Sequence, residues 1–149
     1  MREKTALVLF ILGVLLCGLL IGYTSAPDSW YAGLVKPVFN PPAWVFAPAW
    51  TLLYIMIGIA GWRAWLSGSA RLQQFWWAAL ALNFMWSPVF FGLKMTGSAL
   101  IVIILMDIAV LAFMIAAYRR DKAAFWLFVP YAMWLCYATL LNSTIFLLN

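Results

Sequence analysis

Five apolar runs, each near the length of a membrane crossing, dominate this sequence. A spanning helix takes about 20 mostly apolar residues. Runs of that kind occupy residues 5–24, 43–66, 72–93, 98–118 and 123–147. Hydrophobic residues make up 68% of the chain and charged ones 9%, against about 45–50% and about 25% in an average globular domain. The expected fold is an all-α integral membrane protein, a single domain over residues 1–149 built as a five-transmembrane-helix bundle. Met1 to Lys4 ahead of the first run imitates a signal peptide. The run is longer than the roughly 7–15 apolar residues of such a signal, and Pro27 directly follows the small residues Thr24, Ser25 and Ala26. A retained helix is expected.

The net charge of +5 gains its meaning from position and implies no nucleic-acid partner. Arg2, Lys4, Arg63, Arg71, Arg119, Arg120 and Lys122 fall at one end of an up-and-down bundle, and Lys36 and Lys94 at the other. Basic residues collect on the cytoplasmic side, which places the N-terminus in the cytoplasm and the C-terminus outside if this is a cell membrane. Histidine is absent and Asp plus Glu total four, so histidine-based metal sites and triads are excluded and no metal is expected. Cys17 and Cys136 lie inside apolar runs and imply no disulfide framework.

Three of the connections are short, but the first, residues 25–42, is long, and long connections in compact proteins are commonly functional. It belongs to the stretch Trp30–Tyr54, WYAGLVKPVFNPPAWVFAPAWTLLY, which holds Pro37, Pro41, Pro42 and Pro48 along with Trp30, Trp44 and Trp50. Tryptophan and tyrosine favour membrane interfaces, one end of the ring being apolar and the other able to hydrogen-bond. The segment reads as a proline-stiffened lid over something flat and apolar. Pro88 and Pro130 fall inside later runs, where they kink the helices and free the carbonyls of Phe84 and Trp126.

Helical spacing groups the remaining candidates. Phe46, Trp50 and Tyr54 share a face, as do Asn83, Trp86 or Ser87, and Phe90, and then Tyr131, Trp134, Ala138 and Asn142. An unpaired amide in hydrocarbon costs several kcal/mol, so the stripes holding Asn83 and Asn142 should face inward. An apolar pocket with a few placed polar groups is the usual small-molecule site, and Ala138 would leave a gap in it. Ordinary packing with hydrogen-bonded asparagines fits the same stripes, and spacing leaves both readings open. Asp107, in the middle of the fourth run, is a possible polar site along with Lys36 and Asn142: an acid at that depth is either functional or protonated and hydrogen-bonded. Gly18 and Gly22 form a GxxxG that suits packing within the bundle or dimerisation.

The Trp30–Tyr54 stretch, then NFMWSPVFFG from Asn83 and FVPYAMWLCYATLLN from Phe128, together resemble the tryptophan-rich sensory protein/translocator protein family across essentially the whole chain. The resemblance implies a five-helix bundle, often a homodimer, that binds porphyrins and other planar hydrophobic ligands beneath the first loop. Carried over residue by residue, it implies a pocket of Tyr31, Pro41, Trp44, Phe46, Trp50, Asn83, Trp86, Phe90, Trp134, Ala138 and Leu141, with Tyr54 added by the inward stripe. No tightly bound cofactor is implied; porphyrin would be a ligand, in a receptor or sensor. Transport of such amphiphiles is the alternative, as is light-dependent porphyrin breakdown, for which Trp50 and Trp134 would be the working residues. An enzyme in the acid–base sense is not implied. Without histidine, metal-free protoporphyrin suits the site better than haem, and Lys36 could meet a propionate. Val38-Phe39 replaces a Trp-Trp pair of some members, and Asn142–Leu147 lacks the Tyr and Arg of the cholesterol pattern of animal members.

Overall fold

A computed structural model describes residues 2–149, with side chains from residue 3 onward, so the side chain of Arg2 lies outside the described residues. Six α-helices occur among them: α1 Arg2–Thr24, α2 Ser29–Gly33, α3 Phe46–Leu66, α4 Ala70–Ser87, α5 Thr96–Arg120 and α6 Lys122–Leu148. Five are long. The sixth, α2, is a single short helix inside the segment expected to be plain loop. Four stretches, Glu3–Thr24, Ala43–Leu66, Thr96–Arg120 and Lys122–Leu148, are long and apolar enough to cross a membrane. The fifth expected crossing falls short of that measure because α4 carries Arg71, Gln73, Gln74 and Asn83.

The long helices form a closed ring in the order α1, α3, α6, α5, α4, and α3 also touches α4 across it. Outward faces are apolar: Leu9, Leu12, Leu16 and Leu20 on α1, and Ile101, Ile104, Ile108 and Ile115 on α5 are exposed. A helix apolar all round belongs in a bilayer or a large core, and this ring supplies no protein to cover those faces.

Small residues set the close approaches. A Cβ on Gly58 would stand 2.7 Å from the Ile11 Cα, so the α1 and α3 backbones meet there. A Cβ on Gly18 would strike the Tyr54 ring, whereas one on Gly22 would meet nothing within 4 Å. Of the GxxxG pair, only Gly18 packs inside the bundle.

Pro48 sits in the first turn of α3, and proline acts differently at the two later positions, Pro88 and Pro130. Helix α6 runs unbroken through Pro130. At Pro88 the α-helix gives way to a π turn, Pro88–Gly92. The Leu93 N–H donates to the Pro88 carbonyl at 2.8 Å and the Met95 N–H to Val89 at 3.2 Å. Proline has no N–H and its ring crowds the carbonyl four residues back, which accounts for the change of pattern. Lys94 then turns the chain at φ 60°.

Asp121 organises the opposite end. Its carboxylate caps α6 by accepting from the Ala123 and Ala124 N–H groups, both at 3.1 Å. It also takes the Arg63 guanidinium, with Nε at 2.9 and 3.0 Å and Nη2 at 2.9 Å. Partial burial opposes ionisation, but the Arg63 hydrogen bonds and charge and the two capping N–H groups outweigh it and hold the carboxyl below its ordinary 3.8. A lowered folded pKa gives stability that is full above the unfolded value and lost as pH falls through the folded one.

Two measurements check this packing. Gly58→Ala should lower the thermal midpoint in detergent through about 1–3 kcal/mol of overpacking, while Gly22→Ala should leave it unchanged. Asp121→Asn should cost about 1–3 kcal/mol by leaving Arg63 and the α6 cap underpaired. The gap between wild type and Asp121→Asn should stay constant from pH 7 to about 5 and close only below pH 3.8.

Candidate aromatic site beneath the first connection

The inward faces of α3, α4 and α6 carry two joined groups of rings. In the first, Trp50 stacks on Tyr54 with centroids 5.3 Å apart. It meets Tyr131 edge-on at 6.5 Å and Trp134 at 6.4 Å. Phe46 lies edge-on to Trp134 at 6.0 Å. In the second, Trp86 stacks on Phe90 at 5.0 Å, and Tyr31 and Trp30 stand edge-on to Phe90 at 6.2 and 6.0 Å. Phe46 also packs against the Phe90, Leu141 and Ile145 cluster, which joins the groups.

Polar groups are threaded between these rings and paired. Tyr54 Oη donates to Asn83 Oδ1 at 3.3 Å. Asn83 Nδ2 donates to Tyr131 Oη at 3.0 Å, and that hydroxyl donates to Met106 Sδ at 3.1 Å. Asn83 is 5% exposed and Tyr131 1%. Trp86 Nε1 donates to Asn142 Oδ1, and Asn142 Nδ2 to the Thr96 carbonyl, both at 3.0 Å. Each amide ties two helices together. The sequence places Asn83 and Asn142 inward but gives no sign of Met106 or Thr96, whose roles rest on a thioether and a backbone carbonyl.

Trp30, Tyr31 and Leu34 of the 25–42 segment pack against the Phe90 cluster, and the segment is fastened at three places. Lys94 Nζ reaches Asp28 Oδ2 at 2.8 Å. Asn149 accepts from the Val35 N–H at 2.9 Å and donates to its carbonyl at 3.0 Å. Tyr137 Oη donates to the Phe39 carbonyl at 2.7 Å. Asp28 also caps α2 by accepting from Tyr31 N–H. The Lys94 hydrogen bond, with the Tyr31 N–H, holds the Asp28 carboxyl below its ordinary value. Asp28 and Lys94 are both exposed, so the pair contributes little to stability.

The sequence-predicted residues separate by position. Tyr31, Phe46, Trp50, Tyr54, Asn83, Trp86, Phe90, Trp134 and Asn142 belong to the contacts above. Leu141 is buried beside Phe90, and Ala138 packs against the larger core cluster. Pro41 is half-buried, its carbonyl accepting from Asn40 Nδ2, while Asn40 Oδ1 accepts from the Tyr31 hydroxyl at 3.4 Å. Trp44 stands apart, 73% exposed. Lys36 folds back over the Tyr31 ring at 4.6 Å and donates to the Ala32 and Leu34 carbonyls. Asp107 lies at the α5–α6 seam, where Thr139 Oγ1 donates to it at 2.8 Å. Tyr137 and Phe91 were not picked out by helical spacing. Among the described residues no three His, Cys, Asp or Glu side chains converge.

This is a membrane-embedded helical bundle with an aromatic interior whose two buried asparagines are paired, while the buried Trp62 Nε1 has no hydrogen-bond partner among the described residues. The family model described as TspO/MBR matches residues 7–148, and the chain belongs to the TspO/MBR family. It is 43% identical over 148 residues to the tryptophan-rich protein TspO of Archaeoglobus fulgidus, covering 96% of each chain. It is 46% identical over 129 residues to the tryptophan-rich sensory protein of Cereibacter sphaeroides, covering 86% of this chain and 82% of that one. The human translocator protein is 36% identical over 119 residues, 76% of this chain and 70% of its own.

The asparagine link sets an energetic expectation. Asn83→Leu leaves two buried hydroxyls without their amide and should cost about 1–3 kcal/mol per group stranded. The triple change Tyr54→Phe, Asn83→Leu, Tyr131→Phe removes the stranded groups and should recover part of that loss in thermal melts.

Proposed function

We propose that this protein is a membrane sensor that binds metal-free protoporphyrin or a similar planar tetrapyrrole among the rings of α3, α4 and α6, with residues 25–42 as the lid. The observation that supports it best is the setting of Trp50, stacked on Tyr54 and edge-on to Tyr131 and Trp134. Indole and phenol faces suit a flat aromatic ligand, and its ring would lie where Phe46 now meets Trp134. Entry requires those rings to part and the lid to lift. Lys94, Asn149 and Tyr137 are the contacts that must yield. Tyr31, Pro41, Phe46, Trp50, Tyr54, Asn83, Trp86, Phe90, Trp134, Ala138 and Leu141 form the proposed binding set; exposed Trp44 is suited to the membrane interface at the lid's edge.

The same reading takes five helices across the bilayer. Residues 70–92 of α4 and its π turn span about 30 Å at 1.5 Å per residue, enough for the hydrocarbon core. It sets the Arg63–Asp121 end in the cytoplasm and expects a homodimer.

A second reading, light-dependent porphyrin breakdown, is favoured by the 6.4 Å approach of Trp50 to Trp134. Both indoles could give an electron to a photoexcited porphyrin in van der Waals contact.

Quenching of tryptophan fluorescence by protoporphyrin in detergent tests the main reading. Saturable micromolar quenching is expected in wild type, weakened about tenfold or more in Ala138→Phe, which adds a ring to the pocket wall. Equal quenching in both would remove the pocket assignment. For the second reading, illumination should bleach bound porphyrin faster than free porphyrin, and Trp50→Phe with Trp134→Phe should abolish the difference.

A further inference from the structure

Two hollows flank the last turns of α5 at the end of the bundle away from the lid. One, of about 840 Å³, runs between the start of α4 and the end of α5. Arg71, Arg119 and Arg120 line its rim, and Phe75, Ala112 and Ala116 its wall. The other, of about 380 Å³, lies between α5 and Phe125 of α6, with Met114 and Tyr118 along it. Ile115 and Arg119 line both, so the hollows lie on either side of one ridge.

Among the described residues the three arginines form no ion pair. The chain holds four acids. Asp121, the nearest in sequence, is committed to Arg63. Asp28 pairs with Lys94 at the far end, Asp107 is bonded to Thr139 in mid-helix, and Glu3 forms no ion pair among the described residues. The first turn of α4 adds to the positive potential. Its N-cap Ser69 accepts only from the Leu72 N–H, and helix starts carry partial positive charge.

An occupant must therefore be anionic at one end and apolar along two strips. A soluble anion would use the arginines and leave the channels bare to lipid. A net-neutral headgroup would bring a cation of its own beside the three guanidinium groups and offset none of their net charge, whereas an anionic one offsets part of it. We propose that this pair of grooves binds one anionic phospholipid of the surrounding leaflet, its phosphate held by Arg71, Arg119 and Arg120 and its two acyl chains laid along either side of Ile115. Basic pockets at helix ends recognise such headgroups through charge-assisted hydrogen bonds. Ala112 and Ala116 are small residues in the wall of the wider channel, and a tryptophan at Ala112 would narrow it.

The site is independent of the aromatic one, and the test keeps them apart. Full-length protein in neutral detergent is mixed with equal amounts of dioleoyl phosphatidylglycerol and dioleoyl phosphatidylcholine, and retained lipid is read by native mass spectrometry. Wild type should retain one phosphatidylglycerol with a preference of about tenfold or more. Arg119→Gln with Arg120→Gln should bring the preference near parity, and Arg119→Lys with Arg120→Lys should keep most of it. Arg71→Gln alone, on an exposed first turn, should lower it several-fold and serves if the double variant does not fold. Ala112→Trp, with all three arginines intact, should also lose the lipid, while protoporphyrin quenching stays at the wild-type value in every variant. Equal retention of the two lipids in wild type would reduce the grooves to ordinary boundary surface and overturn the proposal. So would displacement of the lipid by glycerol phosphate with Ala112→Trp without effect, which would mark a headgroup-only anion site. A change from dimer to monomer in Ala112→Trp with lipid retention unaltered would assign the groove to a second copy of the chain instead.

Discussion

An amide buried away from water must find partners within the protein, and in this bundle that requirement governs how the helices are set. Asn83 cannot face lipid, so α4 turns it toward the hydroxyls of Tyr54 on α3 and Tyr131 on α6. Asn142 is held in the same way between the Trp86 indole and the start of α5. These two side chains fix rotations that apolar packing would leave degenerate, because lipid tails are as apolar as the leucines that face them. The aromatic rings take their places around the hydrogen bonds, and Trp50 comes to lie against Tyr54 and Tyr131 because both hydroxyls answer to one amide.

The two ends of the bundle are closed by different means. At one end a single carboxylate caps a helix and binds a guanidinium in the fork geometry that arginine favours. At the other, the 25–42 segment is held by an exposed ion pair, one asparagine and one tyrosine. Exposed contacts of this kind are individually weak and compete with water. Arg63 and Asp121 stand at one end of the bundle and the Asp28–Lys94 pair at the other.

Much of the architecture was legible in the sequence because hydrocarbon is an undemanding solvent to predict: long apolar runs give helices, and short polar turns between them give an up-and-down order. The inward placing of Asn83 and Asn142 followed from the cost of an unpaired amide. Other features were hidden for definable reasons. Asp28, Ser29 and the residues after them lack the length for a periodic signal, so the sequence reads as loop where α2 stands. Trp44, which the family resemblance carries into the pocket, is 73% exposed in this structure. Lys36, which could meet a propionate, donates here to the Ala32 and Leu34 carbonyls at the end of α2, a contact no local pattern announces. The relation of Arg63 to Asp121 joins residues far apart in the chain, and no local pattern announces it.

The π turn at Pro88 has a consequence for chain length. Closing a turn five residues on rather than four admits one residue more than the α-helix would, and each residue carries the chain about 100° around the axis. A residue gained or lost within Pro88–Gly92 would change the type of that turn and leave Ala70–Ser87 in register with α3 and α6. The same change a few residues upstream would swing Asn83 away from both tyrosines. Insertions and deletions in this helix are therefore absorbed at one place, and the proline marks it.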